Sequence, residues 1–396
     1  MSRENQPHGT EPPAELSVAR AVDAIRNENG ELRALCQTQV GEALARDAEL
    51  ASAPERGLLH RMPFALKDVW DVRGLPTTRG HWPERDRIAR TTSPVAQAFL
   101  DAGAVLVGKS NLSDSGLTPE SASYVGGTTK NPLDPTRTAG GSSGGAACAV
   151  AASMAAFDWG TDFGGSIRLP AAFCGVVGLR LSQALWPIPR EGRQAPPTIE
   201  RLNGMGPLAR DLVTCRAALR AASRLRAPID APAPPSAVAL YGPDASCLGL
   251  WPDFVRELEA HLASCDVTVR PARLPPPRAA DRAFVSLIAS HAGELFRGRR
   301  LALAIEIASA LSVGPLVGDW RLHPASARVL AELSILRVLR DRDREAARRE
   351  AERVRDAVGA LFDRRLVLVT PTSTFPAPRL GRALRTRGLA SFVKLG

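Results

Sequence analysis

Between residues 16 and 56 apolar residues recur at helical spacing among alanine and charged helix formers, as in ELSVARAVDAIRN and QTQVGEALARDAEL, and this pattern predicts one or two packing helices. The period then changes. MPFALKDVWDV carries a short apolar run ending at Lys67 and Asp68, and RGLPTTRG supplies turn chemistry after it, so a short strand is expected there. SPVAQAFLDAGAVLVGKSNL reads as a helix with Ser93 as its cap and Pro94 as its first residue, leading through Gly103 into a strand over AVLV. Alternation of helix and strand predicts an α/β layered sheet. Past Gly178 the pattern loosens. WPIPREGRQAPPTIE, RAPIDAPAPPSA and RLPPPR are Pro-rich connectors, residues 279–362 are mostly helical by composition, and RRLVLVTPT at 364–372 predicts a short strand returning to the sheet. The connectors read as boundaries of an insert within one domain over 16–396, preceded by a loose tail over 1–15; no internal repeat is visible.

Composition narrows the class without changing this layout. A chain of 396 residues, 44% hydrophobic and 23% charged, has the make-up of a folded globular protein, which excludes fibrous and disordered classes. The net charge of +10 comes mostly from arginines interleaved with acids, as in DRDREAARREAERVRD at 341–356. Alternating sign reads as a solvated helix face, and with no basic block carrying interleaved aromatics, no nucleic-acid partner is expected. No apolar stretch is long enough to span a bilayer and the N-terminus has no apolar h-region, so the expectation is no membrane span and a cytoplasmic location. The six cysteines, at 36, 148, 174, 215, 247 and 265, contain no C-x-x-C pair, and the six histidines are scattered with no H-E-x-x-H. Neither a metal site nor a cofactor is therefore expected.

The chemistry concentrates between Thr138 and Arg180, in TAGGSSGGAACAVAASMAAFDWGTDFGGSIRLPAAFCGVVGLR. Two glycine-flanked serine turns, Gly140-Gly141-Ser142-Ser143-Gly144-Gly145 and Gly164-Gly165-Ser166, are joined by a helix of small residues. Glycines beside a serine allow positive φ and let backbone N–H groups converge on one point, which is how an oxyanion hole is built. Such a serine is exposed beside preformed donors, as acyl transfer requires. With no histidine in this block the base must be another residue, and Lys67, at the end of an apolar run, is a candidate because burial favours its neutral form. GAVLVGKS at 103–110 satisfies the P-loop expression, but its interior Ala104-Val105-Leu106-Val107 reads as a buried strand rather than a phosphate-cradling loop, so nucleotide binding is not expected.

These residues resemble the amidase-signature family. The family's G-G-S-S-G-G and G-T-D-x-G-G-S-I-R-x-P-A-A-F-C-G-x-x-G-L-K are matched almost residue by residue; Lys67-Asp68 precedes Gly74-Leu75-Pro76-Thr77-Thr78 as the family's K-D precedes G-L-P-T-T; GMGPLARDL at 204–212 and LVTPTSTFPAP at 368–378 resemble two further segments. The similarity implies an α/β fold with a large mixed β-sheet covered by helices on both faces, a signature core over about 60–212 and a variable, mainly helical insert over about 227–365. It implies an amidase that cleaves a carboxamide C–N bond in a small-molecule substrate. Ser166 would be the nucleophile, Ser142, on a cis peptide in the family, the proton relay, and Lys67 the base. The N–H groups of Phe163, Gly164, Gly165 and Ser166 would form the oxyanion hole, Ser143 a supporting donor, and Asp162 and Arg168 structural elements.

Departures from the pattern bear on this. Ser113-Asp114-Ser115 stands where the family has Thr-Glu-Phe, which would alter a wall of the acyl pocket, and Arg180-Leu181-Ser182 replaces Lys-Pro-Thr. Family members continue past the T-P-T strand with a segment resembling N-L-x-G-x-P-A, whereas this sequence stops at SFVKLG, so closing strands of the sheet are expected to be absent. Two alternatives follow: a glutaminase-type subunit of a tRNA-dependent amidotransferase, which would need partner subunits, and a noncatalytic homologue acting as a binding protein. A homodimer is the base-rate expectation for assembly.

Overall fold

In the computed structural model the described residues are 16–55, 57, 59–182, 200, 202–223, 235–241, 251–265, 267–274, 284, 288, 322–331, 344–360, 366–373 and 375–382. The expected tail over 1–15, most of the Pro-rich connectors, most of the helix-rich 279–362 and the end of the chain at SFVKLG lie outside them. The chain divides into two compact units. The first takes in 1–191, 201–228 and 319–323, and the second 192–200, 229–318 and 324–396.

The first unit contains a six-stranded sheet. Helix α1 (Val18–Leu32) starts at Ser17, whose hydroxyl accepts from the Arg20 N–H, and buries Val18, Ala21, Val22, Ile25 and Leu32 on one stripe. A four-residue strand, β1 (Leu35–Thr38), separates it from α2 (Val40–Ala51). The helical spacing over 16–56 does not reveal β1, because four residues at a sheet edge carry too short a period. Then come β2 (Pro63–Lys67), α3 (Pro94–Asp101) and β3 (Val105–Ser110), as the sequence reading expects. Ser93 occupies the N-cap of α3 but makes no capping hydrogen bond with its side chain. β3 contains the P-loop-like run as a mostly buried strand; its Lys109 is fully buried and paired with Asp68 at 2.9 Å, so it is not available to a phosphate.

Two small hairpins follow, β4 (Ala122–Ser123) with β5 (Gly127–Thr128), and β6 (Lys130–Asn131) with β7 (Asp134–Thr138). Next are α4 (Gly144–Ala151), β8 (Phe157–Asp162), α5 (Arg168–Cys174), β9 (Val177–Gly178), β10 (Gly204–Ala209) and α6 (Leu212–Ser223). The sheet runs β1-β3-β2-β8-β10-β9. β2 pairs parallel with β3 and β8, and the other pairs are antiparallel, so the sheet is mixed.

Strand alternation sends side chains to two cores, one on each face. On one face Phe64, Leu66, Phe157 and Trp159 meet Val95, Ala96 and Phe99 of α3 and the alanines of α6. Phe64 stacks on Phe157 with centroids 5.4 Å apart, and Phe99 meets Phe157 and Trp159 edge-on. On the other face Ala65, Val105, Val107 and Leu208 pack under α1, α2, α4 and α5. Gly144 to Val150 of α4 are all buried, which their small side chains permit: the helix lies close against the sheet, with Ser143 at its N-cap. Aromatic bulk on the far face and small residues on the near one hold the C-terminal ends of β2 and β8 against the first turn of α4.

The second unit contains β11 (Ala237–Leu240) between β12 (Thr268–Pro271) and β13 (Leu366–Val369), both parallel to it. It also contains α7 (Trp251–Ala263), a helical segment over 324–331 and α8 (Arg344–Gly359). The strand expected at 364–372 therefore forms, but it pairs in this three-stranded sheet and not in the six-stranded one. A period of two gives a strand's faces, whereas its partners are settled by the chain's route between strands.

Candidate functional site

Lys67 is the last residue of β2, on the face that α4 covers, and its side chain is fully buried. Its Nζ lies 2.8 Å from Ser142 Oγ, 2.8 Å from Ser143 Oγ and 2.9 Å from Thr161 Oγ1, with the Thr161 carbonyl at 3.4 Å. The Ser143 hydroxyl donates to the Thr161 carbonyl at 3.2 Å, so its oxygen is an acceptor toward the lysine. As an ammonium, Lys67 can donate to all three hydroxyl oxygens. As a neutral amine it has two N–H bonds and a lone pair, and the Ser142 hydroxyl is then placed to donate to it.

Burial lowers the Lys67 pKa from its ordinary 10.5 to about 7, and the negative charges of Asp162 and Asp158 keep it from falling further. The positive end of α4, beside Ser143, also favours the neutral amine. A lysine in this position exchanges its proton near neutral pH, as a general base must.

The turn carrying Ser142 fits tightly. The Gly141–Ser142 peptide is cis. A Cβ on Gly141 would lie 2.6 Å from the Thr118 carbonyl oxygen, so only glycine passes there. Ser121 ties the turn down from the other side: its hydroxyl donates to the Ser142 carbonyl at 3.1 Å and accepts from the Gly144 N–H at 2.8 Å.

The Ser166 turn is built around Asp162. This buried carboxylate accepts from the N–H groups of Gly165 at 2.8 Å and Ile167 at 3.1 Å, and from Arg168 Nε and Nη2, both at 2.9 Å. Burial pushes the Asp162 carboxyl up, but the Arg168 pair and the two N–H bonds outweigh it and hold its pKa at about 2. Gly165 has φ of 110°, a conformation that costs a side-chain-bearing residue strain. The Ser143 N–H donates to the Ser166 carbonyl at 3.0 Å and joins the two serine turns. Among the described residues the N–H groups of Gly164 and Ser166 make no internal hydrogen bond, and neither does Ser166 Oγ.

The structure thus brings Lys67, Ser142, Ser143 and Ser166 to one end of β2 and β8, with Phe163, Gly164 and Gly165 in the adjoining turn. The Gly165 N–H, which the sequence reading counts among the oxyanion donors, donates in this structure to Asp162 Oδ1 at 2.8 Å. The Ser142–Ser166 hydrogen bond that a relay needs is not made, although the linked turns bring the two serines within one local assembly. The sequence reading missed Thr161, the third partner of Lys67, and Ser121. Thr161 stands within the G-T-D of the motif, but only the strand's geometry shows that both its hydroxyl and its carbonyl reach Lys67. Among the described residues no group of three or more His, Cys, Asp or Glu side chains could hold a metal ion, and no helix is long and apolar enough to cross a membrane.

Comparison with known proteins places this geometry in a family. The model of the family described as Amidase matches residues 15–394. A crystal structure described as an amidase superposes with a TM-score of 0.70 at 26% identity, over 92% of this chain and 79% of that one. A bacterial aryl acylamidase of the amidase-signature enzymes superposes at 0.71 with 22% identity, over 93% and 78%, which is a likeness of fold. A glutamyl-tRNA(Gln) amidotransferase subunit of Trichodesmium erythraeum (strain IMS101) is 40% identical over 171 residues, 43% of this chain and 34% of that protein. The chain thus spans about a third of the length of this curated relative. With a family match over nearly the whole sequence and a mixed sheet of the same fold, the chain belongs to the amidase-signature family.

Proposed function

We propose that the protein hydrolyses a carboxamide in a small-molecule substrate through an acyl-enzyme on Ser166. The observation that carries this reading is Lys67, buried among hydroxyls with a pKa of about 7, beside a serine turn that presents unengaged N–H groups. In the first step Ser166 Oγ attacks the carbonyl carbon while its proton passes to Ser142 Oγ and the Ser142 proton passes to the neutral Lys67 amine. The N–H groups of Gly164 and Ser166 are the donors placed for the oxyanion. On collapse the C–N bond breaks and the relay runs backward, delivering the proton to the leaving nitrogen. A water molecule, deprotonated by the same relay, then cleaves the ester and frees Ser166. Turning the Ser142 and Ser166 hydroxyls toward each other completes the chain, and catalytic hydrogen bonds commonly tighten only with substrate bound.

A second reading, the glutaminase-type subunit of a tRNA-dependent amidotransferase, is favoured by the relatives that carry an amidotransferase name. It uses the same chemistry on glutamine and requires partner subunits. Intact-mass analysis after incubation with a fluorophosphonate tests the shared core: one adduct on the wild type and none on Ser166→Ala is expected. Folded wild-type protein that takes up no adduct would overturn the reading of a hydrolase active by itself and leave the partner-dependent subunit or a noncatalytic binding protein. Release of ammonia from glutamine, compared with hydrolysis of aryl and alkyl amides, then separates the two enzymatic readings.

A further inference from the structure

The α4-facing side of the six-stranded sheet holds a second ionisable group that this reaction does not use. Asp158 lies in β8 between Phe157 and Trp159, whose side chains enter the aromatic core, so its own side chain points to the opposite face. It is fully buried. It pairs with Ala65 of β2 on one side and Leu208 of β10 on the other. Lys67 is two residues beyond Ala65 on the same face of β2, and Ser110, its partner in β3, lies on that face too. Among the described residues neither carboxylate oxygen of Asp158 has a hydrogen-bonding partner of normal geometry, and neither does Ser110 Oγ. A buried carboxylate left in this way is costly and calls for a compensating charge.

Among the described residues one cation is placed to compensate it. On the same face Asp162 is held by Arg168, with Arg180 at 3.9 Å. On the opposite face Lys109 is paired with Asp68. Helix α4 brings only Gly, Ala, Val and the Cys148 thiol against this part of the sheet, and the β10 segment Gly204–Ala209 carries no charge. Lys67, in turn, has three hydroxyl partners and no carboxylate bonded to it.

We propose that Asp158 is a positioning residue for Lys67, its fully buried carboxylate, bonded to no cation among the described residues, adding to Asp162 the counter-charge that tunes the pH at which Lys67 releases its proton. Asp162 opposes the lowering too, but its carboxylate is shared with Arg168; without the Asp158 charge Lys67 would be a weaker base still. With it, the amine titrates close to neutrality, where the product of free base and basicity is greatest. Burial pushes the Asp158 carboxyl up to about 6, with the Ser110 hydroxyl and nearby N–H groups opposing, so the carboxylate is ionised in the range where Lys67 titrates. Its catalytic consequence rests on the amidase reading above; the electrostatic coupling does not.

The sequence makes a direct measurement practical, because the chain contains only four lysines, Lys67, Lys109, Lys130 and Lys394. Protein labelled at lysine Cε with carbon-13 would be titrated by NMR, with Lys67→Met assigning the resonance. The expected result is a Lys67 midpoint near neutral in the wild type and a lower midpoint in Asp158→Asn. A shift of about half a pH unit or more is ~3-fold in neutral amine on the acid side. The pH profile of fluorophosphonate labelling at Ser166 should move the same way. Should the amide variant fail to fold, Asp158→Ala, which leaves no buried amide to satisfy, is expected to shift the midpoint in the same direction. A Lys67 midpoint that stays put or rises in a folded variant overturns the proposal. A midpoint that falls while the wild type takes up no label at any pH would uphold the coupling and refute the reading of a hydrolase active by itself instead.

Discussion

At the scale of single residues, the two serines of the first turn differ in what they can do with a proton. Ser143 donates to the Thr161 carbonyl and accepts from Lys67, so its hydrogen is occupied whichever form the lysine takes. The Ser142 hydrogen has no competing acceptor of this kind and can swing between Lys67 and Ser166. Ser142→Ala is therefore expected to lower kcat/KM by about 10³-fold, because it cuts the relay. Ser143→Ala removes one support of Lys67 and should cost ~10- to 100-fold. Equal losses would mean that the relay does not run through Ser142. Lys67→Ala should lose about 10³-fold or more at every pH. Since the base must be neutral, wild-type activity should rise as pH passes upward through about 7, and the variant should show no such rise. A pH–rate profile from pH 5 to 9 on both proteins checks this.

At the scale of the element, the loop after β8 shows how a motif's charged residues build a turn. Asp162 closes the first loop residues onto itself through Gly165 and Ile167, and Arg168 clamps its remaining lone pairs. A carboxyl whose folded pKa is about 2, against an ordinary 3.8, contributes stability that is present above pH 3.8 and lost as pH falls through 2. Asp162→Asn should cost about 2 kcal/mol at pH 7, with the gap to wild type closing between pH 3.8 and 2, as urea unfolding at those pH values would show. Such elements were legible where the sequence is long enough to carry a period or a motif: β2, α3, β3, α4 and both serine turns. β1 and the two-residue strands of the hairpins are too short to show one, and β13 declared itself a strand without declaring its sheet. The candidate site of Lys67, Ser142 and Ser166 was visible because glycine spacing marks the two serine turns and the family resemblance marks the lysine. Asp158 was not, because a polar residue alternating with Phe157 and Trp159 ordinarily faces water. Here the small residues of α4 let a helix cover that face.

For the whole molecule, the buried charges around β2 and β8 make stability depend on pH in a way that the surface does not. Lys67 has a folded pKa of about 7 and an ordinary value of 10.5. Folding on a charged lysine therefore costs most below pH 7, where both states hold the proton. Between pH 7 and 10.5 the unfolded chain holds a proton that the folded one has released, so wild-type stability should gain about 1.4 kcal/mol per pH unit from this group. Asp158 acts in the other direction, its raised pKa costing stability as it ionises through about 6, so that cost is already complete where the lysine's relief begins. Lys67→Met removes the upward slope and leaves Asp158 to take up a proton in place of its lost counter-charge. Urea unfolding at pH 7, 8 and 9 should then show the wild type gaining on Lys67→Met by about 2 to 3 kcal/mol over the two units. The surface arginines and acids, exposed and interleaved, appear in both proteins and cancel in that difference. Parallel curves would mean that Lys67 is charged in the folded protein throughout, which removes the neutral amine on which the reaction depends.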